Sequence, residues 1–300
     1  MDSLLNTAFQ RQKPVFQKSP DEVLFQRMKK RVLARVQELE PRRRPLILLK
    51  ALLFPLAYVG AYACALAFGR HTAALYGAYL AMGLLLVVVF QNQVHDAVHG
   101  SLWKKKWLNE AYVHLFDLMG ANSFIWKARH VRIPAVEYVK LFVFKTIFPG
   151  YTVVVPKVLL GLGWITSIGA FLVMLFSASV FSLLILLSPH ANVENSFPLP
   201  DGAGHLPYPW FEHQLRHTND VTEDNWFTRF CLGCFNYHVA HHLFPGINHV
   251  FAPEVTAILR EEAGAHGLRY RAFPLGKTLR DHYRLLKRNG VEEDFFEEVM

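Results

Sequence analysis

Three stretches of this 300-residue chain, 51–69, 72–93 and 158–193, contain no Lys, Arg, Asp or Glu. About 20 consecutive apolar residues suffice to cross the hydrocarbon core of a bilayer. A helix that is apolar on every side has no water-facing surface to offer a soluble fold. The chain therefore reads as an all-α, polytopic membrane protein, because a helix satisfies its own backbone hydrogen bonds in lipid. The pattern predicts about four transmembrane helices in two hairpins. The first runs from Leu46 to Phe68, turns at Gly69-Arg70-His71, and returns from Thr72 to Asn92. A third is drawn from Leu141 to Gly161, where Pro149, Gly150 and Pro156 predict a kinked or re-entrant course, and a fourth from Trp164 to Leu187.

The net charge of +8 follows the same layout. Arg42, Arg43, Arg44 and Lys50 flank the start of the first span, and Lys104, Lys105 and Lys106 follow the second. Such clusters mark the cytosolic side and anionic lipid. No basic, aromatic-interleaved surface accompanies them, which argues against nucleic-acid binding. The expected organisation is a cytosolic amphipathic segment (1–45), a first hairpin (46–92), a cytosolic loop (93–140), a second hairpin (141–188) and a helical cytosolic cap (189–300), with both termini cytosolic. No cleavable signal peptide is visible at Met1, so the first span is expected to direct insertion. Within the amphipathic segment, Val23, Leu24, Met28, Val32, Leu33 and Val36 predict a helix over 21–38. In the cap, helices are expected over 223–242, 252–265 and 275–288. The three cysteines, including the lone Cys231-x-x-Cys234 pair, read as packing residues.

Fifteen histidines remain to be placed. His238, His241 and His242 stand at i, i+3 and i+4, which puts them on one side of a helix. A packed core gains nothing from clustered imidazoles, whereas neutral imidazole is the commonest protein ligand for metals. His95 and His99 continue the second span at i, i+4 spacing. His190 ends the fourth span, and His130 lies in the loop between the hairpins. The topology brings all of these to one membrane face. His213 and His217 share i, i+4 spacing and read as outer-shell or surface residues. His71, on the opposite side, and His114, His205, His249, His266 and His282, without partners at useful spacing, are not expected as ligands.

On these residues the chain resembles the integral-membrane, histidine-box fatty acid desaturases, and through them the related membrane hydroxylases. His95-Asp96-Ala97-Val98-His99 resembles the first box of that family, and His238-Val239-Ala240-His241-His242 with Leu243-Phe244-Pro245 resembles the third. His190 resembles the additional ligand at the end of the fourth span. Trp126 to Arg132 begins like the second box, but the paired histidines that should follow are missing, and Ile133 leads almost at once to the next apolar stretch. The resemblance implies a diiron site held by His95, His99, His130, His190, His238, His241 and His242. Seven histidines could hold one metal well or two poorly, and Glu137 and Glu194 are available as oxygen ligands.

The resemblance further implies an O2-dependent oxidoreductase that removes two hydrogens from a long acyl chain presented as an acyl lipid, acyl-CoA or acyl-carrier substrate. No separate catalytic acid, base or nucleophile is required. Without a His-Pro-Gly-Gly cytochrome b5 signature, electrons are expected from a separate ferredoxin or cytochrome b5. Two other readings stay open: a non-catalytic or single-metal relative, favoured by the shortened second box, and a lipid hydroxylase on the same scaffold.

Overall fold

The computed structural model describes residues 15–16, 21–120, 122–124, 133–186 and 189–291. The predicted amphipathic segment and the first span form one helix, α1 (Asp21–Phe68), which runs through Pro41, Pro45 and Pro55. An interior proline costs a helix about 3 kcal/mol, so packing must offset it. Leu24, Met28, Val32 and Leu39 are buried against the cap, in one core with Leu215, Val239, Val255 and Leu259. Arg27 and Arg31 reach Glu262, and Arg43 reaches Glu254, across the same seam. α1 thus serves the cap with one half and the membrane with the other.

The second helix, α2 (Thr72–Val98), extends past the expected end at Asn92 by way of a wide π turn at Phe90–Val94. Three buried amides occupy this turn. Asn92 Nδ2 donates to Val88 O (2.9 Å) and Cys231 O (2.6 Å), and Gln93 Nε2 donates to Lys50 O (2.9 Å). A π turn rotates the residues beyond it out of the preceding helical register, and here those residues are His95 to His99. A short helix, α3 (Lys106–Leu118), follows.

The third span is α4 (Ala135–Leu160), a continuous helix that accommodates its irregular centre in a second π turn, Gly150–Val154. Tyr62 donates its hydroxyl to Tyr151 O and Tyr79 to Thr152 O, so backbone groups released by the turn find partners inside the protein. The fourth span is α5 (Trp164–Leu186). α2 packs against α1 and α5, and Leu75, Tyr79, Met82, Ala170 and Met174 are buried between the hairpins. The other faces expose Leu52, Leu56, Val59, Phe142, Ile165, Leu172 and Phe176. A surface this rich in large exposed apolar side chains fits lipid rather than water. Four helices are thus long and apolar enough to cross a membrane.

The cap contains α6 (Trp210–His217), α7 (Trp226–Phe230), α8 (His238–Leu243), α9 (Ala252–Ala265) and α10 (Leu275–Val291). Two parallel two-residue pairings, β1 (Val15–Phe16) with β2 (His205–Leu206) and β3 (Asp220–Val221) with β4 (Ala272–Phe273), are the strands among the described residues. The helix expected over 223–242 is not formed as one piece. The chain leaves α7 after Phe230 and adopts positive φ at Gly233 (59°) and Cys234 (54°) before α8 starts at His238. A β-carbon on Gly233 would lie 2.9 Å from Gln91 O. Close passage over the α2 π turn therefore breaks the helix, at a residue that tolerates both the contact and the left-handed backbone.

Where α2 and α5 meet, a β-carbon on Gly83 would lie 2.3 Å from Met174 O and 2.0 Å from Ser177 Oγ. Gly83→Val should force the hairpins apart and cost roughly 1–3 kcal/mol, seen as a lowered thermal unfolding midpoint in detergent. Gly77→Val, at a position with open space around its β-carbon, should leave that midpoint close to wild type.

Candidate metal centre

α8 is only six residues long, and its N-terminus is fixed by Asp220. Asp220 Oδ1 accepts from Val239 N (2.9 Å), while its Oδ2 accepts from the Tyr270 hydroxyl (2.6 Å) and faces Arg260 (3.5 Å). Burial pushes the Asp220 carboxyl up to about 6, against the opposing pull of Tyr270, Val239 and Arg260. Successive residues on a helix are rotated by about 100°, so His241 and His242 diverge even though both lie near His238. The shared helical side predicted from the spacing is accordingly divided between two clusters.

The first cluster joins His95 and His99 of the α2 extension to His241. His95 Nε2 and His241 Nε2 are 3.2 Å apart, and the His99 ring centroid lies 5.0 and 5.1 Å from those of His95 and His241. The second joins His190 to His238 and His242. Its three Nε2 atoms form a closed triangle with sides of 2.8, 3.1 and 3.2 Å. The clusters are neighbours, with the His238 and His241 ring centroids 6.0 Å apart and those of His241 and His242 5.9 Å apart.

Such a triangle cannot be satisfied by protons alone, because a neutral imidazole nitrogen either donates one proton or offers one lone pair. Metal–imidazole bonds of about 2.1 Å at right angles place nitrogens about 3.0 Å apart. The triangle therefore matches one face of an octahedron, and its neutral nitrogen donors suit a first-row transition metal. The outer nitrogens are held as such a role requires. His190 Nδ1 donates to Leu186 O (2.7 Å), and His242 Nδ1 faces Gln214 Oε1 (3.2 Å), which leaves both Nε2 lone pairs directed inward.

Burial is the main reason that His190, His238, His241 and His242 are all held below the ordinary imidazole range, His242 at about 3. Neighbouring imidazoles add to it for His238, His241 and His242. Neutral rings are the form that ligates. All six clustered histidines line a cleft of about 1590 Å³, which Phe90, Phe116, Leu141, Leu186 and Phe235 make largely apolar; Lys104, Lys106 and Lys145 line it too, with Glu110 beside Lys106.

Six of the seven histidines expected at the centre are thus brought together. His130, along with all of 125–132, lies outside the described residues. Glu137 and Glu194 do not join the clusters; they pair with Lys140 and Lys277. His213 and His217 stack on each other with ring centroids 5.5 Å apart, and His217 Nδ1 faces Ser196 O. His249, expected to lack a partner, has its Nδ1 2.6 Å from Asp96 Oδ2. The spacing rule misses this contact because the two residues are 153 positions apart.

Arg271 was also missed. Its buried guanidinium donates to the carbonyls of Glu194, Leu215, Arg216 and Thr218, tying the segment after His190 to the end of α6. Burial, reinforced by the nearby Arg269, holds it down at about 10, still charged at neutral pH. Nothing in the sequence separates Arg271 from the other surface-type arginines around it.

Residues 138–274 match the sequence profile described as Fatty acid desaturase, a span that includes His190, His238, His241 and His242. The chain is similar to an acyl-lipid (8-3)-desaturase of Physcomitrium patens, with 24% identity over 85% of this chain and 69% of the relative. It is also similar to two sn-1 linoleoyl-lipid 6-desaturases. The one from Synechocystis is 29% identical over 52% of this chain and 44% of the relative, and the one from Arthrospira platensis is 23% identical over 64% and 71%. The chain is thus similar to fatty acid desaturases over the stretch that carries four of the six clustered histidines. The scaffold is the all-α, polytopic membrane fold that its apolar runs imply. No solved structure matches.

Because His190, His238, His241 and His242 are held below their unfolded value of about 6.5, the unfolded chain binds more protons than the folded one at acid pH. Stability contributed by the neutral rings is therefore present above about pH 6.5 and lost as pH falls toward the folded values. The metal-free protein should show a falling thermal midpoint between pH 7.5 and 5, and His242→Ala should flatten that slope. Arg271→Met should cost roughly 2–4 kcal/mol by stranding four carbonyls, measurable as a lower midpoint at every pH in that range.

Proposed function

We propose that this chain is an O2-dependent fatty acyl desaturase that introduces a double bond into a long acyl chain at two irons. One iron would be held by His95, His99 and His241 and the other by His190, His238 and His242. The observation that carries the reading is the pair of adjacent imidazole triads on α8, both open to one apolar cleft. Bound iron would supply O2 activation and the removal of hydrogen from an unactivated methylene. The protein's own part is to hold six neutral nitrogens in place, to orient the acyl chain along the apolar wall and to keep water from the reacting carbon. The names of the relatives support an acyl lipid as substrate, and the basic residues at the cleft suit its head group or a carrier phosphate. The centre and both termini would face the cytosol, with electrons arriving from a separate ferredoxin or cytochrome b5.

Three nitrogens would fill half of an octahedral shell, so each triad would leave room for a further ligand such as His130. Purified protein should contain about two irons per chain, and His241→Ala or His242→Ala should each remove one. A host expressing the chain with a suitable donor should accumulate acyl chains with a new double bond, lost in either variant. New hydroxyl groups instead would indicate a hydroxylase, whereas zero or one iron with an unchanged fatty acid profile would indicate a non-catalytic relative.

A further inference from the structure

Lys50 is among the largest fully buried side chains, with 1% of its surface exposed, although it lies on the helix that enters the membrane. A buried ammonium is costly unless it is hydrogen-bonded, and an ionisable group on a spanning helix ordinarily faces a functional interior. Lys50 Nζ is 2.6 Å from His249 Nε2 and 3.2 Å from Arg229 O, and no carboxylate pairs with it among the described ion pairs. The nearest acidic group follows on the far side of the imidazole, where His249 Nδ1 lies 2.6 Å from Asp96 Oδ2. Asn248 Nδ2 donates to the same oxygen (2.7 Å). The other carboxylate oxygen, Oδ1, stands 3.6 Å from His95 Nδ1, too long for a hydrogen bond but close enough for its negative charge to favour a proton on that nitrogen.

The direction of this chain is dictated by its ends. An ammonium only donates and a carboxylate only accepts. His249 must then accept at Nε2 and donate from Nδ1. Asp96, fixed by His249 and Asn248, keeps Oδ1 facing His95 Nδ1, which leaves His95 Nε2 turned toward His241 Nε2. A carboxylate behind a histidine fixes its tautomer and raises its basicity as a ligand.

We propose that Lys50 and His249 are positioning residues for the His95/His99/His241 triad alone, acting through Asp96 to fix the tautomer and aim of His95. The second triad is aimed by different groups, Leu186 O and Gln214. The two metals would therefore respond differently to Lys50. This inference rests on the two-metal reading above.

The test is anaerobic release of Fe2+ from the full-length, iron-loaded protein in detergent to a ferrous chelator. Lys50→Met should release one of two irons about 10–100-fold faster and leave the other at the wild-type rate, which also serves as the control for folding. In a His242→Ala background, which disables the second triad, the remaining iron should show the whole effect. His249→Leu should reproduce it, and the double variant should be no faster than either single one. Faster release of both irons, of neither, or additive effects in the double variant would overturn the proposal.

A second measurement needs no metal. In ¹⁵N spectra of metal-free protein, His95 should carry its proton on Nδ1, and Lys50→Met or His249→Leu should give a mixture of His95 tautomers; an unchanged His95 tautomer also overturns the proposal. A wild-type chain that takes up no iron would sink the two-metal reading itself, and the tautomer would then decide on its own whether Lys50 aims His95.

Discussion

A helix of six residues must present His238 and His242 to one cluster and His241 to another, and the rest of the structure depends on holding it there. A free segment of that length would not remain helical, because the cost of nucleation exceeds what so few hydrogen bonds return. Asp220 accepts the Val239 amide, and Val239, Ala240 and Leu243 are buried in the cap core. α8 is thus fixed by a buried acceptor at its start and by packing along its length. Its histidines are placed by those constraints rather than by helix propensity.

The partners of α8 arrive from both hairpins by different devices. His95 and His99 are carried by α2 after a π turn, and that turn is braced by amide contacts to Lys50 and Cys231. His190 follows α5 on a short segment, held by its own bond to Leu186 O and by the Arg271 contacts. Each membrane hairpin therefore supplies one part of the centre, and the cap supplies the element that joins them. The long α1 makes this assembly coherent, because its first half is packed into the cap while its second half enters the membrane.

Burial has opposite consequences in the two kinds of polar site. At His190, His238, His241 and His242 it removes charge, lowering the affinity of the rings for protons and leaving lone pairs available. At Arg271 the charge survives, because four carbonyl oxygens replace the water that the guanidinium gives up. The centre thus combines neutral donors that a metal can use with a charged group that only the surrounding backbone can satisfy.

The amino-acid sequence determined the class and the ligand types. Long uncharged runs have few alternatives to spanning helices, and imidazoles at i, i+3 and i+4 report local helical spacing. Both signals depend on neighbours in the chain, so they can be read without coordinates. Only the tertiary structure decided that His241 separates from His238 and His242, because that division depends on which helix ends lie on either side of α8. It likewise decided the break at Gly233, which is imposed by the Gln91 carbonyl of a distant helix, and the contacts of Lys50, His249 and Asp96, whose partners are many residues apart. Periodicity records what a residue does within its own helix; it carries no record of which other helix will meet it.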